Sequence, residues 1–439
     1  MTEPAAPAAP TAPTAPSATA PADLAGRLEA RLVALIPDPL RFPGGRQIDW
    51  RGPIGLLVAA VAGSVFFASA GFDAGRPDLF YLADAFWHGR TWLSYPLGPD
   101  DVIPLLGRYY VPFPPFPAIM FMPLMLLISP ETAHAYEPLI NSTLAAIDIG
   151  LVWMLAARIG VDRKLDRLWL ALLLGFSTAI WWVTVRGGVW HTGHLVATML
   201  TLAALIEAFG RRRPLLIGLL IGAAFLTRPP VIFGLFFFAI VLTLDRSIRT
   251  PQGRRSIARD WLLLAVGVAP SIAFYFWYND VRFGSPLESG YQLATLPAWL
   301  ASLRDQGLFS LSHLARNWDY FMLDLPKQIS GFPWFRPDGL GMSILVTSPG
   351  LLMAFRANWR NRLSWALAIA FVLVMVPNLL YYGGGWLQYG FRYALDAIPF
   401  AIALCAIALT RNRAGLVWWL VLAFGLLVGA GGVYWAYNI

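Results

Sequence analysis

The sequence predicts an all-α polytopic membrane protein with about eleven transmembrane helices and two large external loops that carry interfacial helices. Of its 439 residues, 57% are hydrophobic and only 13% are charged, whereas roughly a quarter of the residues of a soluble domain are charged. The basic residues lie in short loops between long apolar stretches, as in membrane proteins whose cytoplasmic loops are positively charged. This pattern excludes a water-soluble enzyme. Despite the net charge of +8, it also argues against a nucleic-acid partner.

The first 50 residues contain two segments that we expect to lie outside the membrane. Residues 1–22 are rich in alanine, proline and threonine, so we expect a disordered tail and not a signal peptide. Within residues 23–50, three leucines spaced four residues apart share one helical face. This spacing predicts a short helix on the cytoplasmic membrane surface, followed by a linker. The transmembrane domain then covers residues 51–439.

Eleven apolar segments are candidate transmembrane helices. They are residues 53–72, 136–157, 165–186, 188–209, 214–227, 229–244, 261–279, 341–357, 363–382, 392–410 and 415–436. The apolar stretch 116–129 is shorter and is interrupted by Pro123, so we expect it to be a partly embedded helix. With that assignment every arginine-rich loop lies on one side, which places the N-terminus in the cytoplasm and the C-terminus outside.

The two external loops, residues 73–135 and 280–340, are where we expect function, because binding and catalytic residues concentrate on loops held by a rigid scaffold. Asp73 directly follows the first span, and Asp78 begins an amphipathic helix predicted over residues 78–88. The low dielectric at a membrane boundary can tune a carboxylate toward general-base work. Asp73 and Asp78 are therefore our candidate catalytic residues.

Three arginines are candidate ligands of a phosphate. Arg228 stands between two short apolar segments in FLTRPP, Arg282 precedes a Gly-Ser-Pro turn, and Arg392 lies at the start of the tenth span. An arginine in such a position either binds a specific phosphate or reaches out to lipid head groups. For Arg392, an ion pair with Asp396 four residues on is a further interpretation.

Two histidines and a tyrosine complete the candidate substrate-binding residues. His191 and His194 are three residues apart at the outer start of the fourth span. No further metal ligand is near them in sequence, so we expect them to donate hydrogen bonds to an anionic head group and predict no metal site. Tyr109 is either an interfacial anchor or part of a groove for a prenyl chain, shaped by the extended, proline-rich segment that follows it.

A different class of function is suggested by the second span. Glu137, Asn141 and Asp148 fall on one face of that helix. An aspartate so deep in a span is costly and should face a partner or a polar cavity, which would suit a transporter or flippase of a lipid-linked or amphipathic substrate. The large external loops and the lack of an obvious internal repeat argue against it. A non-catalytic partner in envelope synthesis is a third interpretation.

The order of the motifs resembles the membrane-embedded glycosyltransferases of the GT-C class. The similar families are the protein O-mannosyltransferases and aminoarabinose transferases, which use polyprenyl-phosphate sugars. The resemblance covers about residues 50–410. It rests on a first span followed by an acidic loop, a proline-led embedded helix, and then LTRPP, RFGSP…GY and GFRY…P in that order.

This resemblance implies roles for the candidate residues. A first-loop acidic residue would act as the base or position the acceptor, a role that falls on Asp73. Because DAG stands where the family has an Asp-Glu pair, Asp78 or Asp84 are alternatives. The phosphate-holding basic residues of the family map onto Arg392 and, less closely, onto Arg228 and Arg282.

The sequence thus predicts an enzyme that transfers a sugar from a polyprenyl-phosphate donor to a glycan, lipid or protein acceptor. We expect single displacement with inversion, at the outer face of a multi-pass membrane protein in contact with membrane lipids. Only two of the 33 basic residues, Lys164 and Lys327, are lysine, which suggests a GC-rich bacterial genome and hence the bacterial inner membrane. Apart from the lipid-linked donor we name no cofactor, and the requirement for a divalent metal stays open.

Overall fold

The computed structural model describes residues 54–70, 75–98, 101–244 and 246–437, together with two short strands near the N-terminus. These strands, β1 (Leu40–Arg41) and β2 (Gln47–Ile48), pair antiparallel. The chain forms two compact units, Met1–Arg51 and Gly52–Ile439. The predicted disordered tail, the predicted surface helix and Asp73 lie outside the described residues.

The larger unit is mostly helical, and the prediction of an all-α polytopic protein is confirmed. Its α-helices are α1 (Ile54–Ser69), α2 (Asp78–Trp87), α3 (Phe116–Met125), α4 (Pro130–Ala135), α5 (Glu137–Ile159), α6 (Lys164–Phe176), α7 (Ile180–Arg186), α8 (Val189–Ala208), α9 (Pro214–Phe225), α10 (Leu235–Val241), α11 (Pro251–Phe283), α12 (Ala298–Arg304), α13 (Leu314–Trp318), α14 (Ile344–Thr347), α15 (Arg362–Leu380), α16 (Ile398–Leu409) and α17 (Leu416–Ala436). Short 3₁₀ helices cover Pro229–Gly234, Leu311–His313, Pro349–Arg356 and Arg392–Asp396, and a π-helical turn covers Asp319–Leu323. Two antiparallel hairpins pair β3 (Ile103–Leu105) with β4 (Arg108–Tyr110) and β5 (Lys327–Gln328) with β6 (Phe335–Arg336).

Each segment that the sequence predicted to span the membrane contains at least one helix. In the described part of the chain, five of them are long and apolar enough to cross a membrane: α5, α8, α11, α15 and α17. The bent pair α6–α7, with an angle of 45° at its break, makes a sixth if it is counted as one span. Other apolar helices, such as α1 and α9, are shorter. The protein is therefore a membrane protein, and the number of eleven spans stays a prediction.

Helix α11 is longer than the span expected within it. Its 33 residues extend about 50 Å at roughly 1.5 Å per residue, whereas the hydrocarbon core of a bilayer is about 30 Å thick. The predicted segment 261–279 is the apolar middle of this helix. The basic residues near its start and Arg282 near its end therefore extend beyond the apolar part.

Glycines allow α9 and α11 to pack closely. A Cβ atom built on Gly218 would lie 2.3 Å from the Leu264 carbonyl oxygen and 2.9 Å from the Gly267 Cα. A Cβ on Gly222 would lie 2.6 Å from the Ser271 hydroxyl. Small residues at a helix contact let the two backbones approach, which is how membrane helices gain packing energy where lipid removes most of the hydrophobic drive.

The external segments differ from expectation at two places. Helix α2 lies where the sequence predicted an amphipathic helix, but Asp78 at its start, a candidate catalytic residue, is fully buried. The proline-rich segment that follows Tyr109 is predicted to be extended, yet α3 begins within it, at Phe116. Pro117 is accommodated there because the first turn of a helix has no partner for its N–H groups.

Candidate functional site

One large cavity, called here the main cavity, lies where the two external loops meet the ends of α8 and α15. It has a volume of about 460 Å³. The first loop contributes Arg76, Asp101 and Phe113 to its lining, and the second contributes Tyr291, Trp299 and Phe309. Under the predicted topology this is the external end of the helix bundle. Pockets that bury small ligands have volumes of roughly 300–1,000 Å³, so the main cavity is of a size to hold one.

The lining of the main cavity is strongly basic. Four arginines contribute to it: Arg76, Arg186, Arg228 and Arg392. In the described part of the chain, Asp101 is the only carboxylate that joins them. Most of the other lining residues are aromatic or apolar. Charges in such a poorly hydrated cleft act over a longer range than they do in water, so the cavity attracts an anion.

Arg228 is held in place by Asp396. The Arg228 Nε lies 3.0 Å from Asp396 Oδ1, and a second bond of 3.0 Å joins its Nη2 to Oδ2. The carboxylate also accepts a hydrogen bond of 3.2 Å from the amide of Asn378. The ring of Tyr393 lies 4.9 Å from the guanidinium carbon of Arg228. Asp396, considered from the sequence as a partner for Arg392, forms its ion pair with Arg228 because the chain brings α10 and α16 together beside α15.

Fewer guanidinium nitrogens of Arg392 than of Arg228 are hydrogen-bonded to the protein. Its Nη1 donates to the carbonyl of Trp386 at 3.3 Å, and its guanidinium carbon lies 5.2 Å from the Tyr393 ring centre. Its buried Nε has no hydrogen-bond partner among the described residues. A guanidinium donates up to five hydrogen bonds, so Arg392 has donors left for an anion in the main cavity.

The two predicted histidines have different surroundings. His191 lines the main cavity, and its Nδ1 donates to the carbonyl of Gly187. His194 is fully buried and does not line the cavity; its Nδ1 is 3.4 Å from Asp396 Oδ1. In the described part of the chain no group of three or more His, Cys, Asp or Glu side chains could hold a metal ion.

Like His194, the predicted substrate-binding residues Arg282 and Tyr109 do not line the cavity. Arg282 is buried, and its three nitrogens donate to the carbonyls of Val111 and Tyr278 and to the side chain of Asn279. Tyr109 lies in β4, and its backbone exchanges hydrogen bonds with Leu93. Both hold the first external loop in place: Arg282 fixes it to the end of α11, and Tyr109 joins β4 to the backbone at Leu93.

Asp78 lies behind the cavity wall. Its two carboxylate oxygens accept hydrogen bonds of 3.0 and 2.5 Å from Nε and Nη2 of Arg76, which does line the cavity. Burial raises the pKa of Asp78 above its ordinary value, although the Arg76 guanidinium opposes that shift. In this arrangement Asp78 fixes Arg76 and is separated from the cavity by it.

Asp101 is a candidate that the sequence analysis missed. Its Oδ2 accepts a hydrogen bond of 2.8 Å from the indole N–H of Trp190. Its backbone is left-handed, with φ of 52°, and its amide donates to the carbonyl of Thr295 in the other external loop. An aspartate tolerates this conformation better than most residues do. Nothing in the spacing around Asp101 indicated it; the only signal was the excess of aspartate in this loop.

Of the polar residues of the second span, Glu137 and Asn141 are hydrogen-bonded to each other and to the Thr192 hydroxyl, and Asp148 lies apart from them. Glu137 accepts hydrogen bonds from the backbone of Gly188 at 2.7 Å and from the Thr192 hydroxyl at 3.0 Å, so it anchors the start of α8. Asp148 is fully buried, and neither of its oxygens has a partner among the described residues. Neither residue lines the main cavity.

No family model matches the sequence. The chain is 28% identical over 204 residues to a curated protein of Mycobacterium tuberculosis, the polyprenol-phosphate-mannose-dependent alpha-(1-2)-phosphatidylinositol mannoside mannosyltransferase. The match covers 44% of this chain and 46% of that protein, so it spans less than half of the curated relative. Among solved structures, ArnT from Cupriavidus metallidurans bound to undecaprenyl phosphate matches at 17% identity with a TM-score of 0.46, over 87% of this chain and 64% of that chain. The curated match confirms the resemblance to GT-C class membrane glycosyltransferases that the sequence indicated.

Proposed function

We propose that this protein is a membrane glycosyltransferase that moves a sugar from a polyprenyl-phosphate donor to an acceptor bound at the outer face of the membrane. The observation that carries the proposal is the convergence of four arginines on one cavity whose other lining residues are mostly aromatic or apolar. A lipid-linked sugar phosphate is an anion with an apolar tail, so its enzyme must place cations next to lipid. The curated relative, by its name, uses a polyprenol-phosphate sugar.

The donor phosphate binds between Arg228 and Arg392 in this proposal. Both line the main cavity, and both guanidiniums contact the ring of Tyr393. Arginine suits this role because its planar fork binds two phosphate oxygens at once and stays charged. His191, in the same wall, adds a further polar contact. The lipid tail leaves toward the membrane.

The reaction is a single displacement with inversion. The acceptor hydroxyl oxygen attacks the anomeric carbon of the sugar, and its proton passes to a carboxylate of the first external loop. The bond between that carbon and the phosphate oxygen breaks, and the electron pair leaves with the polyprenyl phosphate. Arginines stabilise this leaving group because negative charge develops there in the transition state.

Three carboxylates of the first loop are candidates for the base. Asp73 and Asp78 are the ones that the sequence predicts, and Asp101 is the one that lines the cavity. A base must come within hydrogen-bond reach of the proton that it takes, although such contacts often form only when substrate is bound. Asp78 meets this condition only if Arg76 moves when substrate enters.

The donor site is tested by native mass spectrometry of the protein purified in detergent. We expect wild type to retain a polyprenyl phosphate and Arg392→Ala to lose it. Arg259→Ala is the matched control, because Arg259 is exposed and lies in an ion pair with Asp260 far along α11 from the cavity. If neither wild type nor control carries a lipid phosphate, the glycosyltransferase proposal fails, and transport of an amphipathic substrate becomes the function to assay.

The base is tested by transfer rates of Asp73→Asn, Asp78→Asn and Asp101→Asn. General-base catalysis contributes roughly 100- to 10,000-fold, so we expect one of the three to lower kcat by at least about 100-fold. Full transfer rates in all three would contradict activation of the acceptor by a carboxylate of this loop.

The proposed site is external and the membrane is the bacterial inner membrane. Accessibility of a cysteine introduced at exposed Leu106 to a membrane-impermeant thiol reagent checks the side.

A further inference from the structure

A second cavity opens beside the main cavity. It has a volume of about 330 Å³ and lies between α12, the turn at the end of α13 and the glycine-rich segment that follows α15. Four aromatic side chains line it: Trp299, Tyr320, Tyr382 and Trp386. We propose that this second cavity binds a sugar ring of the acceptor, so that the acceptor is a glycan or a glycosylated molecule. This inference rests on the proposed function and adds the class of acceptor to it.

The two cavities share a wall. Trp299, Tyr382 and Trp386 contribute to both linings. The centroids of the Trp299 and Trp386 rings are 6.2 Å apart, and the ring planes make an angle of 68°. The two ring surfaces therefore point in different directions. A ligand in the second cavity therefore lies next to whatever occupies the main cavity. That adjacency is what an acceptor needs, since its hydroxyl must reach the anomeric carbon of the donor.

Aromatic side chains in this number fit a sugar. A pyranose ring has C–H groups on its faces and hydroxyls around its rim, so aromatic rings cover the faces while polar groups bind the rim. Trp299 and Trp386 are 43% and 53% exposed, which leaves much of each ring open to a ligand. Tyrosine and tryptophan both combine a large apolar surface with a hydrogen-bonding group at one edge.

Arg316 makes the second cavity unsuitable for the prenyl tail of the donor. It is the only charged side chain among the described residues that line this cavity. Its Nη2 donates to the carbonyl of Tyr382 at 2.6 Å and to the side chain of Asn317 at 3.2 Å. These bonds hold the guanidinium at the wall. A hydrocarbon tail packed there would remove the charge from water and leave the remaining guanidinium N–H groups without acceptors, whereas sugar hydroxyls would accept hydrogen bonds from them.

Two glycines form part of the wall of the second cavity. Gly385 has a left-handed φ of 105°, and a Cβ built on it would lie 2.1 Å from the Gln388 side chain. A Cβ on the neighbouring Gly384 would lie 2.4 Å from the Asn317 side chain. The left-handed φ favours glycine at 385, and an added Cβ at 384 would press on the Asn317 side chain of α13, so this segment packs closely against α13.

The experiment blocks the second cavity without touching the main one. Leu303 lines the second cavity alone and is half-buried, so Leu303→Trp fills it. Leu311→Trp is the matched control, because Leu311 is 77% exposed and lines neither cavity. The probes are the methyl glycosides of mannose, glucose, galactose and arabinose, with binding measured by saturation-transfer NMR. Retained polyprenyl phosphate is measured on the same samples by native mass spectrometry.

We expect wild type and Leu311→Trp to bind at least one glycoside and Leu303→Trp to bind it at least about tenfold more weakly, with equal lipid phosphate in all three. Tyr320→Ala, which removes a ring from the same cavity, should weaken binding as well and guards against misfolding of Leu303→Trp. No glycoside binding in a wild type that retains the lipid would overturn this inference alone. Loss of the lipid in Leu303→Trp would overturn it too, since the cavity would then hold the donor tail. Absence of lipid in wild type would overturn the proposed function and this inference with it.

Discussion

Arg228 and Asp396 form a two-point ion pair, although 168 residues separate them in the chain. The arginine side chain is one-fifth exposed, and the aspartate side chain is fully buried. The pair joins the turn before α10 to the turn before α16 at the wall of the main cavity. The carboxylate fixes one edge of the guanidinium, and the Arg228 side chain lines the cavity.

Asp396→Asn should destabilise the protein and disorder Arg228. Removing one partner of a buried ion pair leaves the other charge unpaired, at a cost of about 3–5 kcal/mol. We expect the free energy of unfolding to fall by the lower end of that range, because Arg228 is partly exposed. Unfolding in detergent, followed by intrinsic tryptophan fluorescence, measures it.

The double variant Arg228→Gln/Asp396→Asn measures the energetic coupling between the two side chains. Since it leaves no unpaired charge, it should lose less stability than the sum of the two single variants. Additive losses would show that the two side chains are not coupled. Retention of polyprenyl phosphate should fall in all three variants if the ion pair positions Arg228 for the donor.

Arg282→Ala should lower stability and leave donor binding unchanged. The guanidinium donates hydrogen bonds to the carbonyls of Val111 and Tyr278 and to the side chain of Asn279, and it contributes nothing to the cavity lining. Its loss removes the side-chain donor of the buried Val111 carbonyl and of the Asn279 amide oxygen, at roughly 1–3 kcal/mol for each unsatisfied group. A lower melting temperature with an unchanged donor KM is the expected result.

An increase in donor KM at unchanged stability would instead restore the phosphate-binding role that the sequence resemblance gave to Arg282. Arg304→Ala is a useful comparison, because Arg304 also holds a loop through a backbone carbonyl, that of Ala294 at 2.7 Å. It too should change stability and not donor binding.

The helices were predictable because the bilayer imposes a length and a polarity on each span. The sequence also indicated Arg228, Arg392 and His191, and all three line the main cavity; their role in binding stays a prediction. Asp78 and Arg282 differ because their partners cannot be read from a helical wheel. Helical periodicity places Asp78 on a face, but the bidentate bond from Arg76 is what allows its burial.

Long-range partners explain the other differences. Arg282 is committed to the Val111 carbonyl, 171 residues away, and a residue that binds backbone carbonyls looks in sequence like one that binds phosphate. Asp101 reaches the cavity through a left-handed turn stabilised by Thr295 of the other loop. That contact depends on how two loops dock, which no local pattern encodes.

Activity should be lost as the pH falls through the pKa of Asp78, and that pKa lies above the ordinary carboxyl value of 3.8 because the side chain is buried. Activity falls with pH whether Asp78 accepts a proton from the acceptor or holds Arg76, since both roles require the ionised carboxylate. The guanidinium of Arg76 favours that ionised form. Arg76→Gln should therefore move the midpoint of the acid limb of kcat/KM to still higher pH, in addition to lowering the rate.

Arg90→Gln is the control, because Arg90 belongs to the same loop but bonds Ser94 and does not line the cavity. An acid limb at the same pH in wild type and Arg76→Gln would mean that a group other than Asp78 controls the reaction, and the same profiles for Asp101→Asn would then identify whether that group is Asp101.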